Sequence, residues 1–246
     1  MYKRQSEEFS YTLTKYYDGS TKTNQDRLLS ILSIDEKHGF YVDFYRSDNA
    51  ISNDYLYHNI GDSVILYTQD GKVLKQDEVS SYPCVGEDLP GLRYFRSVRT
   101  TGLNESTVVA IFSARLLNTG TSYMKMWIPA SSDVSYFTAL APGAKTASSP
   151  YQSKPSLVVT MRKEKPAVKE PFVVVYEPIS DELSADLIES VDRIKLDPLG
   201  KESCAIKVKT KKGDTFTLVN ILKDGPVILN NCLLYTSPSP RDKRQS

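Results

Sequence analysis

The sequence has 246 residues, of which 25% are charged, and its 31 basic and 30 acidic side chains leave a net charge of +1. This balance argues against a nucleic acid partner, because phosphate binding requires a strong surplus of basic residues. No run approaches the roughly 18 apolar residues of a membrane-spanning helix, so we expect no membrane span. The length is sufficient for one large or two small hydrophobic cores.

Both ends of the chain resemble translated sequencing adapter. Residues 1–5 read MYKRQ and residues 232–246 read CLLYTSPSPRDKRQS, which match the two translated orientations of a transposon end used in sequencing libraries. We therefore predict that both ends are not native and that residues 6–231 are a fragment of a longer protein. On this view the native N-terminus lies upstream, and the missing signal peptide says nothing about localisation.

The pattern along the chain is almost entirely that of β-strands. Short polar and glycine turns, such as Asp18 with Gly19 and Asp70 with Gly71, separate the apolar segments. Residues 108–112 and 172–176 are apolar on both faces, which predicts central strands. With no helical pattern between them, the strands predict an all-β, antiparallel β-sandwich. The predicted strands are 9–14, 27–34, 40–46, 54–58, 63–68, 107–116, 122–128, 135–140, 156–162 and 172–177.

The sequence also predicts two long loops and a different pattern after residue 178. Residues 76–99 and 141–155 are rich in Pro, Gly, Ser and Tyr, which indicates functional loops or tolerated insertions. Residues 180–196 fit either a short helix or an irregular strand. The segments 202–209 and 214–222 predict a hairpin whose lysines, Lys207, Lys209 and Lys211, form a solvated face. We therefore divide the chain into a β-sandwich domain of residues 6–178 and a small C-terminal β module of residues 179–231.

The segment 40–61, FYVDFYRSDNAISNDYLYHNIG, is the most informative part of the chain. At the strand period of two, its first strand presents a core face and a second, polar aromatic face. Sugar rings pack on aromatic side chains while their hydroxyls bond to charged and polar groups, so the second face suits a sugar. A solvated tyrosine-rich face is the alternative. The core set is Phe40, Val42 and Phe44, and the polar aromatic set is Tyr41, Asp43 and Tyr45.

The sequence contains no recognisable complete catalytic set. The chain has two histidines, His38 and His58, and a metal site built from His58 and Asp43 would need at least one more ligand. There is no GxSxG elbow, P-loop or dinucleotide fingerprint. The acidic pairs at 7–8 and 35–36 are better explained as solvated turns than as glycosidase carboxylates. Without the adapter cysteine, Cys84 and Cys204 remain, and we expect two buried thiols.

Several motifs give the chain a family resemblance. The strings GFYVDFYRS and NDYLYHNIGDS resemble the Y-x-D-x-[FY]-R-[SV] and H-D-Y-x-x-H-N-x-G strands in the C-terminal β-domain of heparinase II/III-like polysaccharide lyases. The strings YMKMWIP, YFTALAP, PSLVVTMR and PFVVVYEP follow in the same order. Asn53 stands where many relatives carry the first His of the second motif, so this chain lacks that imidazole. Asp54, Tyr55 and His58 match the motif.

The resemblance implies a parent enzyme in which an α/α toroid precedes this β-sandwich. Such lyases cleave uronate-containing polysaccharides, for example heparin-like polymers or alginate, by β-elimination. It also implies that the catalytic residues, and the ligands of any zinc in the parent, lie upstream of residue 6. We therefore expect no complete active site and no cofactor in this part, an acidic polysaccharide and the missing toroid as partners, and a periplasmic or extracellular location.

Residues that could still contact substrate follow from the same motifs. Arg46 and Asp43 could instead pair across the sheet, and His58 could bond a neighbouring backbone group. Trp127 suits a sugar platform, although core packing explains it better. Two other function classes stay open, a non-catalytic carbohydrate-binding module and an adhesin-like structural sandwich. The predicted substrate-binding residues are Asp43, Arg46, Asp54, Tyr55, Tyr57 and His58, with Tyr41 and Tyr45 as further candidates.

Overall fold

The computed structural model describes residues 2–5, 9–83, 91–116, 120–143, 155–180, 186–194, 203–221, 226–229 and 232–235. Apart from one 3₁₀ turn at Leu92–Tyr94, all regular structure in these ranges is β-strand, and no described helix could span a membrane. The strands are β1 (Tyr2–Gln5), β2 (Phe9–Asp18), β3 (Thr23–Ser33), β4 (Gly39–Ser47), β5 (Asn53–Asn59), β6 (Ser63–Thr68), β7 (Asp77–Glu78), β8 (Arg96–Leu103), β9 (Val108–Leu116), β10 (Gly120–Ile128), β11 (Ser135–Ala141), β12 (Ser156–Lys163), β13 (Phe172–Ile179), β14 (Ile188–Ile194), β15 (Cys204–Thr210), β16 (Thr215–Asn220), β17 (Pro226–Leu229) and β18 (Cys232–Tyr235).

The strands form three main antiparallel sheets and a separate pair. The central sheet has the order β1-β2-β3-β4-β13-β10-β9-β6, the front sheet has the order β5-β12-β11-β8-β7, and the back sheet has the order β14-β15-β16. Strands β17 and β18 pair only with each other. The ends predicted to be non-native contribute β1, which pairs with β2, and β18. The prediction of an all-β antiparallel sandwich is confirmed, and the back sheet adds a third layer.

The middle strands of the central sheet are covered on both faces, because alternate residues of these strands enter two different cores. Ala110 and Phe112 of β9 pack in the core shared with the front sheet, whereas Val109 packs in the core shared with the back sheet. Val174 and Val175 of β13 divide in the same way. A strand buried on both faces must be apolar at successive positions, which is the pattern that predicted central strands here.

Two stretches differ from the sequence prediction. The predicted loop 76–99 contains β7 and the start of β8. The β8 sequence RSVRTTGL is mostly polar and lacks the apolar alternation that predicts a strand. Its pairing with β11 is interrupted by register shifts, and Gly102 has a φ of +67°. Within 180–196, the described residues contain strand β14, so the irregular-strand alternative is correct there. The predicted C-terminal hairpin is therefore part of a three-stranded sheet, β14-β15-β16. Residues 144–154 of the other predicted loop lie outside the described residues.

Buried charged side chains attach the back sheet to the central sheet. The Glu177 carboxylate on β13 accepts hydrogen bonds from the backbone N–H groups of Leu187, at 2.6 Å, and Ile188, at 2.9 Å. It also accepts one from Trp127 Nε1, at 2.9 Å, which gives the sole tryptophan a packing role. Arg46 donates from Nε and Nη2 to Asn220 Oδ1 on β16, at 3.0 and 2.7 Å. These bonds compensate for the desolvation of the charges.

Glu177→Gln should lower the free energy of unfolding by about 2 kcal/mol, because the amide keeps one acceptor oxygen and places an N–H₂ group against a donor. Urea denaturation of both proteins measures the difference. Glu189→Gln is the control, since Glu189 is half-exposed in an ion pair with Lys209 on the back sheet, and should change stability by less than about 1 kcal/mol. Equal effects of the two substitutions would contradict the role of Glu177.

Candidate functional site

Strand β4 presents its two faces to two different cores. Phe40, Val42 and Phe44 are buried against the back sheet, as predicted. The opposite face was predicted to be a polar aromatic wall, but the front sheet covers most of it. Asp43 has an exposed fraction of 0%, whereas Tyr41 stays 38% exposed. The sequence periodicity was therefore right, and the solvent exposure expected for the second face was wrong, because strand β5 packs over it.

The Asp43 carboxylate is the centre of a polar network inside the sandwich. Arg27 on β3 donates to it from Nε, at 3.1 and 3.0 Å to its two oxygens, and from Nη2, at 2.6 Å. The Tyr55 hydroxyl on β5 donates to Asp43 Oδ2 at 2.7 Å and lies 2.6 Å from the Tyr176 hydroxyl. Since Tyr55 has only one hydroxyl proton, Tyr176 must be the donor to Tyr55. The network thus ties β3, β4, β5 and β13 together.

The electrostatics of this network favour neutral tyrosines. Burial, with the nearby Tyr176 and Asp43, raises the pKa of Tyr55 well above its ordinary value. Burial also raises the pKa of Tyr176. The Arg27 pKa is raised mainly by its hydrogen bond to Asp43. Both tyrosines therefore act as hydrogen-bond donors at neutral pH and not as bases. Arg27 is the part of the network that reaches the surface, since 56% of its side chain is exposed.

Tyr57 extends the network towards one end of the sandwich. Its ring lies 4.8 Å from that of Tyr176 and 5.3 Å from that of Phe112. Asn59 Nδ2 donates to its hydroxyl at a long distance of 3.5 Å. Burial raises the pKa of Tyr57. Tyr57 therefore joins the buried tyrosines to residues that line a surface pocket.

This pocket, with a volume of about 450 Å³, lies where several strands end. The turn between β3 and β4, the end of β5, strands β9 and β10, and the end of β13 all contribute to it. Gly61 permits the close approach of the chain, because a Cβ there would lie 2.7 Å from the Ser113 carbonyl oxygen. Apolar residues including Phe112, Met124 and Ile179 line it together with the polar Lys37, Asn59, Ser113, Ser122, Tyr123 and Ser180.

The lining chemistry suits a sugar. Hydroxyl and amide groups can bond to sugar hydroxyls, and Tyr123, which is 37% exposed, offers an aromatic surface. Sequence reasoning did not select these residues, although Asn59 belongs to the HNIG string and Tyr123 begins the YMKMWIP string. Lys37 had no periodic signal, since it lies in a turn. A larger groove of about 660 Å³, between β2, β3 and β16, is lined mainly by apolar residues, and Phe44 is the one residue of the matched motifs among those described as lining it.

The six predicted substrate-binding residues lie on three different faces. Asp43, Tyr55 and Tyr57 belong to the layer between the central and front sheets, whereas Arg46 faces the back sheet. Asp54 and His58 point to the outer face of the front sheet, since they alternate with Tyr55 and Tyr57 along β5. The six do not form one site, and substrate contact by any of them stays a prediction.

The outer-face residues have their own contacts. Asp54 lies 3.3 Å from Arg162 Nη1, and burial raises the pKa of Asp54. His58 is exposed, its ring is 6.2 Å from that of Phe95, and partial burial lowers its pKa. Asn53, in place of the motif histidine, donates from Nδ2 to the Asn49 and Lys165 carbonyls at 3.0 and 2.8 Å. In this chain that position serves to hold two loops together.

A metal site would require several ligating side chains close together in the described ranges. There, no three or more His, Cys, Asp or Glu side chains are grouped so that they could hold a metal ion. Asp35 lies 2.6 Å from His38 Nδ1 within a turn, which agrees with the structural interpretation of the acidic pair 35–36. Cys204 is a buried free thiol, whereas Cys84 and the acidic pair 7–8 lie outside the described residues.

Lys163, the last residue of strand β12, is a buried lysine. Lys163 Nζ donates to Ser131 Oγ at 2.8 Å and to the Glu170 carbonyl at 2.9 Å. Burial lowers the pKa of Lys163 to about 8. Burial acts to raise the Glu170 pKa, but the Lys163 charge and hydrogen bonds from Ser132 and Ser131 hold it at about 2. The carboxylate therefore stays charged over the whole range in which Lys163 titrates.

The free energy of unfolding of the wild type, minus that of Lys163→Met, should increase between pH 8 and pH 10. In that window the folded lysine, with its pKa of about 8, is losing its proton while the unfolded lysine keeps it. The unfolded state then binds more protons, so the free energy of unfolding increases with pH, on the order of 2 kcal/mol in total. Urea denaturation at successive pH values measures both proteins, and parallel pH curves would contradict the expectation.

Tyr55→Phe should lower the free energy of unfolding by about 1–2 kcal/mol, because it removes the hydroxyl between Asp43 and Tyr176. Tyr16→Phe is the matched control, since Tyr16 lies on β2 and is 60% exposed, and its effect should stay within about 0.5 kcal/mol. Denaturant titrations give both values. A loss no greater than that of the control would show that the network does not stabilise the sandwich.

The sequence similarity to one known protein supports a polysaccharide lyase-like domain. No protein-family model matches the chain. The endo-acting ulvan lyase of Formosa agariphila (strain DSM 15362 / KCTC 12365 / LMG 23005 / KMM 3901 / M-2Alg 35-1) is 34% identical over 179 residues, which cover 70% of this chain and 22% of the relative. The chain thus spans about a fifth of the length of that relative. Among solved structures, heparinase III (BT4657 gene product) has a TM-score of 0.48 and 14% identity, covering 90% of this chain and 27% of that one.

Proposed function

Because this chain carries a polysaccharide lyase-like domain, we propose that it is the β-sandwich part of an enzyme that cleaves uronate-containing polysaccharides by β-elimination. The observation that carries the proposal is the 34% identity to an ulvan lyase over 179 residues. The pocket at the end of the sandwich supports it, because it combines an aromatic surface with hydroxyl, amide and ammonium groups. Ulvan joins heparin-like polymers and alginate as a candidate substrate.

We assign the chemical steps to the part of the protein outside this chain. Elimination requires a base for the proton beside the carboxylate, an acid for the leaving oxygen, and a group that stabilises the developing charge. The described pocket residues include no histidine, and Tyr57 next to it has a raised pKa, which opposes a role as a base. In this proposal an upstream α/α toroid supplies the catalytic residues and the ligands of any zinc, and the sandwich binds and positions the polymer.

The size and position of the pocket fit a sandwich that binds the polymer and a toroid that supplies catalysis. Its volume of about 450 Å³ lies within the roughly 300–1,000 Å³ of small-ligand pockets. It lies at the ends of strands, where a second domain can be placed against the sandwich without breaking either core. Since a polysaccharide is too large to enter a cell unaided, the proposal places the parent enzyme in the periplasm or outside the cell.

The chain should bind acidic oligosaccharides from ulvan or alginate, and Tyr123→Ala should weaken this binding about tenfold by removing the aromatic surface. Isothermal calorimetry measures the affinities. Tyr16→Ala, an exposed tyrosine outside the pocket, should leave them unchanged. The chain alone should release no unsaturated uronate, detected by its ultraviolet absorbance. Absence of binding to every uronate oligosaccharide, or equal effects of the two substitutions, would refute the proposed site.

A further inference from the structure

Lys37 is the one charged residue among those described as lining the pocket. It lies in the turn between β3 and β4, and its side chain is exposed. The other polar lining groups, such as Asn59 and Ser113, are neutral, and they can bond equally well to acidic and neutral sugars. The preference of the pocket for charge therefore depends on the Lys37 ammonium.

The backbone around Lys37 is held by hydrogen bonds within the turn. Asp35 Oδ1 accepts from the backbone N–H groups of Lys37, at 3.0 Å, and His38, at 2.9 Å, and lies 2.6 Å from His38 Nδ1. The Ile34 N–H donates to the His38 carbonyl at 2.9 Å. Lys212 of the back sheet lies 3.4 Å from Asp35 Oδ2. The turn is thus connected to two sheets, and Lys37 is presented from a defined position.

The charge of Lys37 is also available for a ligand. The ion pairs found among the described residues do not include it, whereas other surface lysines are paired, for example Lys209 with Glu189 at 2.9 Å and Lys211 with Asp186 at 3.0 Å. The nearby Asp35 carboxylate is occupied by its own turn and by Lys212. An ammonium group beside a partly apolar pocket attracts an anion that the pocket can hold.

We propose that Lys37 is the residue by which the pocket selects acidic sugars, and that it binds the carboxylate of a uronic acid unit seated there. This inference rests on the proposed function and deepens it, because it names the chemical group that the site recognises. The ammonium donates charge-assisted hydrogen bonds to the carboxylate while the neutral groups bind the sugar hydroxyls. Lys37 acts in recognition and has no part in proton transfer.

The test compares Lys37→Met and Lys37→Arg in the whole chain, with Lys207→Met as the control because Lys207 is exposed on the back sheet outside the pocket. Calorimetry is run with an alginate oligosaccharide, which carries carboxylates and no sulfate, with its carboxyl-reduced counterpart, and with a sulfated oligosaccharide that carries no carboxylate. Lys37→Met should weaken binding of the acidic sugar about tenfold and leave the reduced sugar unaffected. Lys37→Arg should retain most of the affinity, and added salt should weaken wild type more than Lys37→Met.

Four results would overturn the inference. Equal affinity of wild type and Lys37→Met for the acidic sugar would show that Lys37 does not bind it. Equal losses for the acidic and reduced sugars would show a loss of pocket shape, and a loss confined to the sulfated sugar would show that sulfate is the recognised group. Failure of the wild type to bind any uronate would overturn the proposed function as well, so the two failures are distinguishable.

Discussion

The middle strands of the central sheet are covered on both faces, so each charged side chain enclosed there must find its partners inside the protein. Asp43 meets this requirement with Arg27 and Tyr55, and Glu177 meets it with Trp127 and two backbone N–H groups. Each set of bonds joins the central sheet to one of the outer layers. The Asp43 and Glu177 carboxylates need partners in order to be buried. Because those partners lie in the outer layers, the same bonds also fix the positions of the layers.

This constraint changes how the lyase-like motif is interpreted. The aspartate and arginine of the string YVDFYRS resemble substrate-binding groups, yet Asp43 bonds to the front layer and Arg46 to the back layer. Asn53 holds two loops through backbone carbonyls. The motif residues thus assemble the sandwich around the strand. In this chain Asp43, Arg46 and Asn53 therefore have structural partners, and substrate contact by the motif residues stays a prediction.

The pocket is the part of the molecule for which we propose sugar recognition. Five segments converge around about 450 Å³: the turn between β3 and β4, the ends of β5 and β13, and the paired strands β9 and β10. Tyr57 connects the pocket to the buried tyrosines, so a rigid layer supports the lining residues. Such support favours binding, because a preorganised site loses little conformational freedom when a ligand enters.

Sequence alone determined most of the fold, because strand alternation is a local property. The two-sided apolar segment 172–176 lies at the centre of a sheet as predicted, and β6 has its predicted bounds. Strand β8 was not predicted, because its sequence shows no clear alternation of apolar and polar residues. Only the tertiary structure decided that Asp43 is buried and that Lys37, Asn59 and Tyr123 line one pocket. Those facts depend on which strands pack over one another and where distant chain segments end, and no local pattern encodes either.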